Sequence, residues 1–246
     1  LSNILYGRNP VTEALKSGRE IEKILMQKGG EGSVKKIEAI ARDRKIPIQY
    51  VDKAALDRVA GDSGKINHQG VAAYISAYDY FEVDDILERA AQREEEAFVI
   101  ILDGIEDPHN LGAIIRTADG AGAHGIIIPK RRAAGLTETA AKASAGAIEY
   151  VPVARVSNLT QTIEYLKVKG IWTVACDMDG SIYYEEDLTG PLAIVIGGEG
   201  KGVGRLVREK CDFVLSIPMA GKISSLNASN AAAVLMYEID RQRKGK

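Results

Sequence analysis

The 246-residue sequence contains only two cysteines, Cys176 and Cys211. Two isolated thiols form no disulfide framework and offer no metal-finger spacing, so the expectation is a reduced, cytoplasmic protein. Long hydrophobic runs are also missing. The longest purely apolar stretches, Ala97–Leu102 and Ala231–Tyr237, hold six and seven residues, far short of the roughly 20 residues a spanning helix needs. Residues 1–10 lack the apolar centre of a signal peptide, and no membrane partner is expected. A large surplus of one charge sign is missing as well. The net charge of −2 does not advertise nucleic-acid binding. Neither an internal repeat nor a low-complexity tract is present.

Charge is nevertheless distributed unevenly. Residues 1–75 carry 13 Lys and Arg against 9 Asp and Glu, residues 76–96 carry 2 against 8, and the remainder is balanced. A mildly basic unit (1–76), an acidic connector (77–96) and a neutral main domain (97–246) are expected. The basic surplus is compatible with RNA contact and equally with a solvated surface. Hydrophobic residues make up 46% of the chain, enough for a packed core.

In the first 75 residues, helices capped by Asn9, Ser33 and Asp52 alternate with strands at 21–26, 48–51 and 69–75. From Phe98 onward short apolar runs alternate with helical patterns to the C-terminus. That alternation predicts an α/β fold with a mostly parallel sheet covered on both faces.

Three stretches carry the chemistry. In each, an apolar strand breaks into a loop of Gly or Pro with isolated polar residues, and ligands in such sheets bind beyond the carboxyl ends of strands. The first, residues 102–118, places Asn110 as a helix cap and Arg116 in an otherwise apolar helix. There Arg116 is either a snorkelling surface residue or a functional cation. Asp103, Glu106, Asp107 and His109 lack a second ligand cluster, so no metal is expected. The second, residues 193–204, has glycines at Gly197, Gly198, Gly200, Gly202 and Gly204. No Ser or Thr follows Lys201, and the spacing is not G-x-G-x-x-G, so this is no phosphate loop. It is either a flexible turn or a loop holding an adenosine-like ligand through main-chain groups, where a side chain at Gly197 would take up ligand space. The third, residues 215–230, packs Ser224, Ser225, Asn227, Ser229 and Asn230 into seven positions. One such residue suffices to cap the following helix.

Taken together, Asp107-Pro108-x-Asn110-x-Gly112-x-Ile114-x-Arg116, Gly197-x-Glu199-Gly200-x-Gly202 and Ile217-Pro218-Met219-x-Gly221 with Ser225-Leu226-Asn227-x-Ser229 resemble the three motifs of the SpoU RNA ribose 2'-O-methyltransferases. They occur in the family's order across residues 97–242. Tyr6-Gly7-x-Asn9-Pro10-Val11 and Gln69-Gly70-Val71-Ala72 look like the small substrate-binding domain of members acting on 23S ribosomal RNA. The resemblance implies a C-terminal domain with a deep trefoil knot, an S-adenosylmethionine cofactor and a homodimer packed through the catalytic domains. It implies a catalytic set of Asn110, Arg116, Glu199, Ser225 and Asn227, with Gly197, Gly198, Gly202, Ile217, Met219 and Leu226 at the cofactor. Arg8, Asn9, Lys65, His68 and Gln69 are the RNA-contact candidates. The implied activity is 2'-O-methylation of ribosomal RNA, at a guanosine of 23S RNA, with transfer RNA as the competing substrate and a catalytically inactive RNA-binding module as the third reading. Arg116 either activates the 2'-hydroxyl or clamps a phosphate.

Overall fold

Short apolar runs alternating with amphipathic helices build two separate sheets. The computed structural model describes residues 4–17, 19–29, 32–61, 67–76 and 78–245. The chain divides into two units, Leu1–Asp79 and Tyr80–Lys246.

The first unit contains β1 (Ile4–Tyr6), α1 (Arg8–Lys16), β2 (Ile21–Gln27), α2 (Ser33–Asp43), β3 (Ile48–Val51), α3 (Lys53–Ala60) and β4 (Val71–Ile75). Its sheet runs β1-β4-β2-β3, with β2 and β3 parallel and β4 antiparallel to both its neighbours. Val11 and Leu15 of α1 and Val34 and Ile37 of α2 bury one face against Ile24 and Met26. Leu56 of α3 covers Leu25 and Ala72 on the other. Three residues are too few for an alternation to register, which is why β1 escapes a reading of the sequence. Two expected caps are displaced, Asn9 by two residues and Ser33 by one. Gly7 (φ 93°) precedes α1 and Gly32 (φ 64°) precedes α2, so Asn9 and Ser33 lie inside their helices. Glycine takes these left-handed conformations at little cost. Asp52 does cap α3, its Oδ1 accepting from the Ala55 amide at 2.7 Å.

The second unit begins with α4 (Val83–Gln92) and continues through β5 (Phe98–Asp103), α5 (Pro108–Gly120), β6 (Gly125–Pro129), α6 (Glu138–Ala143), β7 (Val153–Val156), α7 (Leu159–Val168), β8 (Trp172–Ile182), β9 (Leu192–Gly197), α8 (Arg205–Lys210), β10 (Phe213–Ser216) and α9 (Ala228–Lys244). Its six strands are ordered β10-β8-β9-β5-β6-β7, and every pairing is parallel. Side chains alternate across each strand. Val99 and Ile101 of β5 meet α4, α7 and α8 through Ile86, Leu159, Ile163 and Val207. Phe98 faces the opposite layer, where the Arg243 guanidinium of α9 lies 5.1 Å from its ring centre.

The acidic stretch expected as a connector is largely α4 and belongs to this second unit. Its Asp and Glu residues occupy the solvent face, while Ile86 is fully buried and Val83 and Leu87 pack on the same core. Net charge reports only the outer face of such a helix. At Gly125 a Cβ would lie 2.6 Å from the Ile86 side chain, so strand and helix meet without room to spare. No helix among the described residues is long and apolar enough to cross a membrane.

The edge of the sheet is irregular. β8 pairs with β10 at Val174 and Ala175 and again at Ser181 and Ile182, so the residues between bulge outward. After β10 the chain does not stay at the edge. It returns past β8 and reaches side chains carried beyond β5 and β9, which positions the site described next.

Candidate functional site

Beyond the carboxyl ends of β5, β9 and β10 three polar side chains converge. The first, Asn110, stands in the opening turn of α5. Pro108 fixes φ at the first helical position, and Asp107 is the cap, its Oδ1 accepting from the His109 amide at 2.9 Å. This corrects the expectation that Asn110 caps the helix, and it leaves the Asn110 amide free. Its Nδ2 donates to Glu199 Oε1 at 2.9 Å, and its Oδ1 accepts from Asn227 Nδ2 at 3.1 Å. Asn227 Nδ2 also donates to Glu199 Oε1 at 2.5 Å. Asn227 is itself the cap of α9, its Oδ1 accepting from the Ser229 amide and hydroxyl. Asn110, Glu199 and Asn227 therefore close a triangle in which one carboxylate oxygen receives two amide donors. The second oxygen of Glu199 has no partner among the described residues.

The loop bearing Glu199 is held by backbone contact. At Gly197 a Cβ would fall 2.1 Å from the Gly202 carbonyl carbon, and at Gly198 one would fall 2.3 Å from the Gly104 carbonyl oxygen. Gly202 donates its amide to Gly198 at 2.9 Å and takes φ 61°. Asp103 fixes the loop from below, accepting from the Gly204 amide at 2.8 Å. The expectation that Gly197 leaves space for a ligand is thus corrected: that space is filled by the loop's own return. The loop is a closed turn clamped to β5.

The stretch after β10 has the opposite character. From Pro218 to Leu226 no group is hydrogen-bonded among the described residues. Met219, Ile223 and Leu226 are 37%, 73% and 36% exposed. Backbone groups are obligatory donors and acceptors, so this segment presents a row of polar groups interleaved with apolar side chains. That surface suits a flat heterocycle with polar edges and apolar faces, and adenosine is such a group. Ile217 is half-buried at its start.

Two members of the expected catalytic set stand apart from the triangle. Ser225 is exposed and without a hydrogen bond among the described residues. Arg116 is likewise exposed and partnerless among them. Six residues beyond Asn110, it lies about 9 Å further along α5 and on another face. Neither cysteine offers a nucleophile: burial pushes the Cys176 thiol up to about 11 and Cys211 to about 12. No group of three or more His, Cys, Asp and Glu side chains suited to a metal occurs among the described residues.

In the first unit, the RNA-contact candidates separate. Arg8 Nε donates to the Gln69 carbonyl at 3.0 Å, the Arg8 amide donates to Gln69 Oε1 at 3.1 Å, and Arg8 Nη1 reaches Ser33 Oγ at 3.2 Å. Arg8 and Gln69 are thus clasped together at the surface. Asn9 is exposed, and its side chain has no hydrogen-bond partner among the described residues. His68 is a correction. It is buried, its Nδ1 accepting from the Gly70 amide at 3.0 Å while Nε2 lies 2.9 Å from Asp57 Oδ1. With Nδ1 an acceptor, Nε2 carries the proton and donates to Asp57. The ring shapes the turn into β4 and is not available to RNA. Lys65 lies outside the described residues.

A cleft of about 970 Å³ extends from Asn110 and Glu199 across the ends of β6 and β7. Reading the sequence for motifs missed its far wall, formed by Arg131, Arg132 and Asn158. The signal was present as three consecutive bases, Lys130-Arg131-Arg132, directly after an apolar strand.

Comparison with known proteins agrees with this division. The profile of the SpoU rRNA Methylase family matches residues 97–237. That of the RNA 2'-O ribose methyltransferase substrate-binding domain matches residues 4–81. A putative TrmH family tRNA/rRNA methyltransferase of Bacillus subtilis, YacO, is 52% identical over 241 residues, covering 97% of this chain and 95% of that protein. Among solved structures, the SpoU methyltransferase AviRb of Streptomyces viridochromogenes in complex with AdoMet superposes with a TM-score of 0.63 at 27% identity, over 99% of this chain and 91% of that one. An AdoMet-bound rRNA methyltransferase from Sinorhizobium meliloti gives 0.60 at 26% identity, over 97% and 86%.

Proposed function

Since the chain belongs to the SpoU family of S-adenosylmethionine-dependent RNA methyltransferases, we propose that it methylates a ribose 2'-oxygen in ribosomal RNA, at a guanosine of 23S RNA. The observation that carries the reading is the convergence of Asn110, Glu199 and Asn227 from three motif-bearing loops onto one carboxylate oxygen. The substrate-binding profile over residues 4–81 supports a ribose acceptor. A first unit of this size supports ribosomal over transfer RNA, since a short helical extension is the commoner arrangement in the transfer-RNA enzymes of this family.

S-adenosylmethionine, when bound, supplies an electrophilic methyl group on a sulfonium leaving group. Gly197, Gly198, Gly202, Ile217, Met219 and Leu226 would hold it, the unpaired main-chain groups of residues 218–226 meeting the polar edges of the adenine. The return of that segment over β8 toward β9 and β5 supports the knotted path expected of the family. Catalysis then rests largely on positioning. Asn110 and Asn227 fix the Glu199 carboxylate, and its uncommitted oxygen is left to orient a donor. Arg116 supplies a permanent positive charge, because a guanidinium group keeps its proton in proteins and is a weak proton acceptor in the ordinary sense. Its two roles, phosphate clamp and activator of the 2'-hydroxyl in concert with a phosphate, remain the alternatives. Ser225 completes the proposed set. The proposal includes a cytoplasmic location and a homodimer joined through the second unit.

Mapping 2'-O-methyl groups on 23S RNA and on transfer RNA from cells with and without the protein tests the assignment. Loss of one guanosine mark in 23S RNA is the expected result. Loss confined to transfer RNA assigns the other substrate, and an unchanged pattern in both removes the reading.

A further inference from the structure

The far wall of the cleft has no part in the triangle, and its charges are uncommitted. Arg131, Arg132 and Lys201 line the cleft and have no hydrogen-bond or ion-pair partner among the described residues. The carboxylates of the same cleft are mostly engaged. Asp103 accepts from the Gly204 amide, Asp107 caps α5 and Glu199 receives the two amides, which leaves Glu106 as the cleft's acid without a partner among the described residues. Arg132 also sits at φ 54°, a left-handed conformation that is unfavourable for a non-glycine residue and is kept where the surroundings demand it. Arg131 and Arg132 are both exposed and line the cleft. Asn158, the cap of α7, lines the same wall, its Oδ1 accepting from the Gln161 amide and the Thr160 hydroxyl. At about 970 Å³ the cleft is at the upper end for a small-molecule pocket, and it is open along the ends of four strands.

We propose that Arg131, Arg132 and Lys201 form a phosphate clamp within the second unit, gripping the backbone of the RNA strand that flanks the ribose at Asn110 and Glu199. The inference rests on the reading of the chain as an RNA methyltransferase, and it adds a second RNA-binding element to the one expected in the first unit. Guanidinium groups suit phosphate because their planar donors pair with two oxygens at once. The clamp contacts backbone alone, so it sets the register of the strand and carries no base preference.

Binding of a labelled single-stranded oligoribonucleotide to the full-length protein, measured over a salt series, tests this. Each phosphate contact contributes about 0.7 to the slope of log affinity against log salt for a single strand. Arg131→Gln with Arg132→Gln should weaken binding several-fold at low salt and reduce the slope by about 1.4. Lys201→Gln alone should reduce it by about 0.7. Lys169→Gln, at the far end of α7, controls for general loss of charge and should leave the slope in place. S-adenosylmethionine titration calorimetry on the same variants reports whether the fold survives. In methyl-transfer assays the loss should fall mainly on KM for RNA. A wild-type protein that binds and methylates RNA, with variants of unchanged slope, overturns the clamp and leaves the activity standing. A wild-type protein that does neither removes the underlying reading, and the clamp with it.

Discussion

Asn110 and Glu199, 89 residues apart in the chain, are joined by an amide-to-carboxylate hydrogen bond of 2.9 Å. Asn227 closes the figure from a third loop. Each member has a local duty as well as a shared one, and substitutions can separate the two.

At Asn227 the duties are helix cap and amide donor. Asn227→Asp keeps a carboxylate oxygen for the Ser229 amide, and Asp is as good a cap as Asn. It replaces a donor to Glu199 with a second negative charge. Stability should stay within about 1 kcal/mol of wild type, while methyl transfer falls by orders of magnitude. Asn227→Ala should lose activity and about 1 kcal/mol of stability together. Chemical denaturation beside single-turnover methylation checks both; an active Asn227→Asp protein would refute the triangle's role.

Gly197→Val should damage the loop itself. Its side chain would begin 2.1 Å from the Gly202 carbonyl carbon and 2.2 Å from the Val203 nitrogen. Cofactor binding should be lost and the melting temperature should fall. Gly197→Ala should show the same change, since its Cβ already collides. Calorimetric titration with S-adenosylmethionine and a thermal melt on each variant decide this.

Arg116 is exposed and partnerless among the described residues, so replacing it should cost the fold little, within about 0.5 kcal/mol. Arg116→Ala is expected to bind S-adenosylmethionine as wild type does and to transfer methyl slower by orders of magnitude. Arg116→Lys should recover little, because a point charge does not reproduce the planar fork. A near-normal rate for the lysine variant would contradict the assignment.

His124 makes stability depend on pH. Its side chain is fully buried, Nδ1 accepting from the Phe98 amide and Nε2 facing Glu95. Burial depresses its pKa below the ordinary 6.5, partly opposed by Glu95. The unfolded chain therefore takes up a proton before the folded one does. Stability should be highest above about pH 6.5, fall as pH drops below that value, and level off once the folded ring is protonated. Denaturant melts from pH 8 to 5, with His124→Gln as the comparison, should show this component in the wild type and not in the variant.

The boundary between the units predicts which truncation survives. A chain beginning at Tyr80 retains the Tyr80 hydroxyl that accepts from the Leu136 amide, the Phe81 bridge to Ala154 and all of α4. It should fold and bind S-adenosylmethionine. A chain beginning at Ala97 loses buried Ile86 and should be destabilised by at least about 2–5 kcal/mol. Circular dichroism melts of the two fragments check it.

Periodicity made most of this architecture legible. The βα alternation of residues 98–239 is visible because parallel strands buried on both faces are continuous apolar runs. The three site loops are visible because each pairs such a run with misplaced polar residues. Local capping was harder to read. Asn110 looks like a cap, and only the competing Asp107, one residue before a proline, takes that duty away. His68 looks like a contact residue because its burial does not show among the polar residues beside it in the sequence. The acidic face of α4 hid Ile86, and no motif marks Arg131 and Arg132, whose meaning depends on the neighbours that β7 and β9 bring to them.

Because Asn227 both starts α9 and completes the triangle, the order of folding has a functional consequence. Parallel sheets need long crossovers, and contacts distant in sequence form slowly. β5 and β9 must be side by side before Asn110 and Glu199 meet, and β10 must be docked before residue 227 can reach them. A refolding chain should therefore gain its helical signal before it gains the ability to bind ligand. A nascent chain, synthesised from the other end, has no reactive constellation until its final helix is made. Kinetic refolding followed by circular dichroism and by ligand capture should show the second lagging the first, so that incomplete chains are silent as enzymes.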